Sequence, residues 1–128
     1  MKLLLDSCAL IWLASEPARL SMTATKAIND AGNELYISHA SLWEISLKHA
    51  AGKLTLPDAP RFWWQEQMVR WGIIELPLTA EVIFRSSELP PHHKDPFDRA
   101  ILAQAGMDAF QVVSPDGAFP DYGLPILW

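Results

Sequence analysis

The sequence predicts a single α/β domain over residues 1–128, with a mostly parallel central sheet flanked by helices on both faces. Short apolar segments that are typical of buried strands alternate along the chain with longer segments of helical pattern. The strand segments are too far apart for hairpin connections, which favours parallel pairing in a sheet that is buried on both sides. Half of the residues are hydrophobic and a fifth are charged, so an intrinsically disordered chain is excluded.

Each predicted element has a recognisable sequence pattern. Five segments predict strands, in the order 2–5, 34–37, 73–76, 111–113 and 125–127. Six segments predict helices, at about 10–15, 21–31, 40–51, 60–71, 79–87 and 95–105. Ser21 and Thr79 are typical N-cap residues, and Asp95 followed by Pro96 is a typical helix start. Glycines follow the ends of three helices. Because ligands of such sheets bind at the carboxyl ends of the strands, the residues that follow the strands are the first candidates for a site.

Charge and composition limit the classes of partner. Lys and Arg total 10 and Asp and Glu total 15, a net charge of −5, so the protein as a whole repels nucleic acid and any contact with it must be local. No apolar run approaches the ~20 residues that span a bilayer, and the N-terminus lacks the pattern of a signal peptide. The single cysteine excludes an intrachain disulfide. We expect a cytoplasmic protein without a membrane partner.

Four acidic residues lie where this architecture brings side chains together. Asp6 follows the first strand, Glu44 lies early in the third helix, Asp98 lies in the first turn of the late helix, and Asp116 follows the strand that ends at Val113. Converging carboxylates raise one another's pKa unless a cation neutralises them. Mg²⁺ and Mn²⁺ prefer oxygen ligands, and the chain has no Cys/His set at zinc spacing. Metals held by carboxylates serve phosphodiester hydrolysis, which makes a metal-dependent nuclease the leading hypothesis.

Three of these acids also have a purely structural interpretation. Ser41 and Glu44 fit a capping box, in which Glu44 would only satisfy helix amides. Residues 114–117 fit a type I turn that contains Asp116, and an acid at position 98 favours the dipole of the late helix. Asp95 fits an N-cap, and we predict capping as its role. Asp6 has no such alternative.

Other polar residues near these segments are open to two interpretations. Cys8 is expected to be a buried hydrophobe rather than a nucleophile, because no histidine is predicted beside it. Arg99 is expected to pair with a neighbouring acid rather than hold a phosphate. His92 and His93 either contact phosphate or lie in a solvated loop. Phosphatases of the haloacid dehalogenase type also place an Asp after the first strand, but they need a second Asp where this chain has Cys8.

The motifs resemble, in order and over the whole chain, those of PIN-domain proteins of the VapC toxin type. The resemblance is carried by the segments 3–12, 41–48 with 52–54, 93–105 and 114–119. It implies that Asp6, Glu44, Asp98 and Asp116 form an acidic quartet that is catalytic and holds Mg²⁺ or Mn²⁺, with Asp6 and Asp98 as the primary ligands. Many relatives have Thr where this chain has Ser7 and Ser114, but the hydroxyl groups that can bond the acids are retained.

The same resemblance implies a function and partners. The chain would be a metal-dependent endoribonuclease, the toxin of a type II toxin–antitoxin pair, with RNA as its substrate and a small VapB-like antitoxin in its acidic pocket. We expect a homodimer or a toxin–antitoxin hetero-oligomer, because helix 60–71 has apolar side chains on opposite sides. The alternative is a metal-free PIN-like module that binds RNA or protein without nuclease activity.

Overall fold

The central sheet has five strands, and every neighbouring pair is parallel, as predicted. The computed structural model describes all residues from 1 to 128. The strands are β1 (Lys2–Leu5), β2 (Glu34–Ser38), β3 (Ile74–Leu76), β4 (Gln111–Val113) and β5 (Ile126–Leu127). Their order across the sheet is β3-β2-β1-β4-β5. The chain therefore extends the sheet in one direction from β1 and later in the other, which puts a topological switch point between β1 and β4.

Six α-helices connect or flank the strands. They are α1 (Ser7–Ser15), α2 (Met22–Asn29), α3 (His39–Ala50), α4 (Pro60–Trp71), α5 (Ala80–Glu88) and α6 (Pro96–Met107). Short 3₁₀ turns cover Pro17–Arg19 and Phe119–Tyr122. None of the helices combines the length and the apolar character needed to cross a membrane.

Two helix boundaries differ from the sequence prediction for reasons that involve aspartates. Helix α1 begins at Ser7 rather than near residue 10, because the Asp6 side chain caps it by accepting a hydrogen bond from the Ala9 amide at 2.7 Å. Helix α2 ends at Asn29 rather than Ala31. There, the Asp30 carboxylate accepts a bond from the Gly32 amide at 2.9 Å, a local turn that competes with the helix.

The core lies on both faces of the sheet, which explains the uninterrupted leucines of β1. Leu3 and Leu5 belong to a cluster of 16 buried residues that includes side chains of α1 to α4. Leu4 points to the opposite face and joins a cluster of seven buried residues with Ile101 and Leu102 of α6. In a strand that is buried on both faces, polar and apolar residues do not alternate. Residues 2–5 therefore form one apolar run.

Helix α4 has one face in the core and another in solvent. Trp63, Trp64 and Met68 are buried. Phe62 and Val69 lie on the other face, with 59% and 79% of their surface exposed. The Trp64 face is therefore covered by the chain itself, and only the Phe62 and Val69 face remains as a predicted contact for a partner.

Candidate metal centre

The four predicted site acids converge in one pocket at the switch point of the sheet. The pocket has a volume of about 280 Å³. Five carboxylates line it, those of Asp6, Glu44, Asp95, Asp98 and Asp116. Lys48 is the only Lys or Arg side chain in the lining. Segments that are far apart in the sequence supply these groups, which is the arrangement that the parallel sheet predicts.

Asp6 is fixed at the end of β1. Its backbone N–H donates to the carbonyl of Val113 at the end of β4 (3.1 Å), which ties it to the switch point. Its Oδ1 accepts from the Ala9 amide, and its Oδ2 accepts from the Ser114 hydroxyl at 2.6 Å. Burial raises the pKa of Asp6 to about 6, although these two hydrogen bonds oppose the shift. The buried acid is thus oriented by its neighbours but has a reduced preference for the charged form.

Glu44 has a role other than the capping that its sequence context allows. Helix α3 begins at His39 with Ser38 as its N-cap, so Ser41 lies inside the helix and the capping-box interpretation is wrong. The buried Glu44 carboxylate accepts from the Ser7 hydroxyl at 2.6 Å and from Lys48 Nζ at 2.7 Å. These contacts direct Glu44 towards α1 and into the pocket.

Asp98 and Asp116 reach the pocket from α6 and from the loop after β4. Burial, followed by the negative charges of Asp95 and Glu44, raises the pKa of Asp98 to about 7. Asp116 Oδ1 accepts from the Ala118 amide at 2.8 Å. The turn here is closed by a bond from the Phe119 amide to the Asp116 carbonyl (3.2 Å), so it lies two residues later than the predicted turn at 114–117. The second carboxylate oxygen of Asp116, Oδ2, lies 2.9 Å from His93 Nε2 within the site.

Asp95 caps helix α6, as predicted. Its Oδ1 accepts from the amides of Phe97 (2.8 Å) and Asp98 (3.3 Å). Pro96 occupies the first helical position, where it has no amide to satisfy. The Asp95 carboxylate also lines the pocket, so its contribution to function needs a direct test.

We expect Asp95→Ser to separate stability from catalysis. Serine keeps a capping oxygen, so the free energy of unfolding should stay within about 0.5 kcal/mol of the wild type, whereas Asp95→Ala should lose about 1 kcal/mol. Both variants should retain most of the activity. Urea unfolding checks the stability, and an assay of RNA cleavage with Mn²⁺, the activity that the family resemblance implies, checks the rest of the expectation. A stable but inactive Asp95→Ser protein would assign Asp95 to the catalytic acids instead.

His93 is a site residue that the sequence interpretation left undecided. Its Nε2 lies 2.9 Å from Asp116 Oδ2 and 3.1 Å from Asp98 Oδ2. Burial lowers the pKa of the imidazole, and the hydrogen bond to Asp116 with the charges of Asp98 and Asp116 raises it by more, so the net shift is upward. The feature of the sequence that could have identified His93 as a site residue is its position on the loop just before the helix that carries Asp98. His92, in contrast, packs against Tyr122 with ring centroids 5.2 Å apart.

Two further sequence predictions are wrong, namely the burial of Cys8 and the ion pair of Arg99. Cys8 is exposed and lines the pocket rather than the core. Partial desolvation of its sulfur by the walls of the pocket, together with the charges of Asp6 and Glu44, raises the pKa of the thiol to about 11, so it is a poor nucleophile at neutral pH. Arg99 forms no ion pair, because its guanidinium donates to four backbone carbonyls near the end of α5 and in the loop that follows.

The chemistry of this donor set fits a divalent cation. Oxygen ligands dominate the pocket, and Mg²⁺ and Mn²⁺ prefer such ligands. Burial first, and the neighbouring carboxylates second, raise the pKa values of Asp6 and Asp98, so their charged forms are destabilised in this pocket. A cation among them would remove that cost.

The structure is that of an α/β protein with a parallel sheet and an acidic pocket at its switch point. Comparison with known sequences identifies its family. The profile of the PIN domain family matches residues 3–124, so the chain belongs to that family. Over 115 residues the chain is 32% identical to Ribonuclease VapC22 of Mycobacterium tuberculosis. The aligned segment covers 88% of this chain and 85% of the relative.

Solved structures share the same fold. The chain resembles the structure of VapBC2 from Rickettsia felis bound to a fragment of promoter DNA, with a TM-score of 0.70, 14% identity and coverage of 98% of this chain and 97% of that chain. It also resembles DNA-bound VapBC from Salmonella typhimurium, with a TM-score of 0.69, 18% identity and coverage of 98% and 96%. A third similar structure is FitAcB from Neisseria gonorrhoeae, with a TM-score of 0.62, 20% identity and coverage of 97% and 95%.

Proposed function

We propose that this protein is a metal-dependent endoribonuclease that acts as the toxin of a type II toxin–antitoxin pair. The observation that carries the proposal is the convergence of Asp6, Glu44, Asp98 and Asp116 in one pocket at the switch point of the sheet. The name of the 32% identical relative, a ribonuclease, supports RNA as the substrate.

In the proposed site, Asp6 and Asp98 are the primary ligands of Mg²⁺ or Mn²⁺, and Asp116 and Glu44 complete the set directly or through water. A divalent cation supplies activation of a water molecule and stabilisation of negative charge on the phosphate. The serines at positions 7 and 114 orient the acids by donating to Glu44 and Asp6, respectively. Lys48 offsets part of the negative charge through its bond to Glu44.

The proposed partner is a small VapB-like antitoxin. Solved structures with the same fold include VapBC and FitAB assemblies and a toxin–antitoxin complex from Klebsiella pneumoniae. An acidic pocket of this kind favours a partner segment with positively charged side chains. The exposed Phe62 and Val69 face of α4 is available for self-association or for the antitoxin.

The function is tested by incubating the purified protein with a panel of structured RNAs in Mn²⁺ and, separately, in EDTA. We expect internal cleavage that requires the metal and is lost in Asp6→Asn. The matched control is Glu66→Gln, which also converts a carboxylate to an amide but lies on the exposed surface of α4. RNA binding without cleavage under every metal condition would instead favour a binding module.

A further inference from the structure

His93 is held by contacts on several of its atoms. Its backbone N–H donates to the Tyr122 hydroxyl at 2.7 Å, and its carbonyl accepts from Arg99 at 3.0 Å. The ring packs edge-on against Phe119, with centroids 5.9 Å apart. His93 is thus fixed between the start of α6 and the 3₁₀ turn after β4, with its Nε2 edge facing the acidic pocket.

The hydrogen bonds of the ring define which nitrogen carries the proton. The Asp95 amide donates to Nδ1 at 3.1 Å, so Nδ1 acts as an acceptor. A neutral ring with this contact carries its hydrogen on Nε2, which donates to Asp116 Oδ2. In this tautomer Nε2 has no lone pair to offer a metal ion.

Asp98 depends on this contact more than the other acids do. Asp6 and Glu44 each accept two hydrogen bonds from other groups, and Asp116 accepts one from the Ala118 amide. The Asp98 carboxylate accepts none, and its polar contact is the His93 Nε2 edge at 3.1 Å. Without His93, nothing polar would fix the side-chain rotamer of Asp98.

We propose that His93 is a positioning residue of the metal centre: its Nε2–H donates to Asp116, and the same edge of the ring lies 3.1 Å from Asp98 Oδ2, so the ring keeps the two carboxylates side by side in the arrangement that binds a divalent cation. The inference rests on the proposed function, because it assumes that these two carboxylates are ligands. Groups that orient carboxylate ligands in this way typically contribute 10- to 100-fold to metal affinity. His93 therefore acts on the cation through the acids and not as a ligand itself.

The experiment measures Mn²⁺ affinity by calorimetry for the wild type, His93→Leu and His93→Gln. We expect His93→Leu to weaken binding by about tenfold or more, and the amide donor of His93→Gln to restore it to within roughly threefold of the wild type. His92→Leu is the matched control, since it makes the same change one residue away, and its affinity should be unchanged. Unfolding in EDTA establishes that each variant is folded.

Several outcomes would overturn the inference. If His93→Leu and His93→Gln lower the unfolding midpoint in EDTA but bind Mn²⁺ like the wild type, then His93 only supports the loop. A directly bonded ¹⁴N coupling in the pulsed EPR spectrum of Mn²⁺ on the wild type would make His93 a ligand. If the wild type binds no Mn²⁺, the proposed function fails together with the inference. If the wild type binds Mn²⁺ and His93→Leu binds it equally well, only the inference is overturned.

Discussion

Asp98→Asn is expected to abolish RNA cleavage and, at the same time, to stabilise the metal-free protein. The substitution removes a proposed ligand, so cleavage should fall by at least about 100-fold and Mn²⁺ affinity should fall with it. It also removes a charge that is buried near Asp95 and Glu44. A loss of function accompanied by a gain in stability distinguishes a functional acid from one that serves the helix.

The gain in stability has a defined pH dependence. The pKa of Asp98 is about 7 in the folded protein, against an ordinary value of 3.8, so between these values the folded state binds more protons than the unfolded state. The free energy of unfolding of the metal-free wild type should therefore fall as pH rises through this interval, and Asp6, with a pKa of about 6, contributes in the same direction. Asp98→Asn should reduce this slope and gain at least about 1 kcal/mol near neutral pH.

Urea unfolding in EDTA at several pH values, together with cleavage assays in Mn²⁺, provides both measurements. Glu66→Gln is again the control, because it changes the net charge equally at an exposed position. Wild-type cleavage by Asp98→Asn would show that Asp98 only favours the start of α6. An unchanged pH slope would show that the Asp98 carboxyl is not destabilised by its surroundings.

The sequence was sufficient to predict the sheet and two of the four acids from position alone, because Asp6 and Asp116 each follow a strand. Glu44 and Asp98 lie on helices α3 and α6, so strand positions did not predict them. The apolar run at 2–5 predicts a strand buried on both faces, and Asp6 then lies at its carboxyl end. Asp116 follows the neighbouring strand β4, so its approach to Asp6 follows from parallel pairing alone. Main-chain topology brings these side chains together, and hydrophobic patterning determines that topology.

Contacts made by loops could not be predicted in this way. Whether Glu44 belongs to a capping box depends on whether the N-cap of α3 is Ser38 or Ser41, a difference of less than one turn that hydrophobic periodicity does not resolve. The path of residues 89–95 has no periodic pattern at all. Because that path determines what His93 and Arg99 touch, their roles emerged only from the three-dimensional structure.

Arg99→Gln is expected to cause a large loss of stability. The Arg99 guanidinium donates to the carbonyls of Ser86 and Leu89 at 2.8 Å and to those of Pro90 and His93 at 3.0 Å. The first of these carbonyls belongs to the last turn of α5, where the helix leaves its acceptors unpaired. Glutamine cannot reach all four, and since each charge-assisted bond contributes about 1.5–3 kcal/mol, we expect a total loss of about 2–4 kcal/mol after water replaces some contacts.

Arg99→Lys tests whether geometry or charge is responsible. A lysine ammonium carries the same charge, but its compact head group cannot span four carbonyls, so it should recover less than half of the loss. The control is Arg85→Gln, which breaks an exposed ion pair with Glu81 and should cost at most about 1 kcal/mol. Urea unfolding in EDTA gives the comparison. If Arg99→Gln is no less stable than Arg85→Gln, or if lysine restores full stability, the four-carbonyl contact does not hold the loop that carries His93.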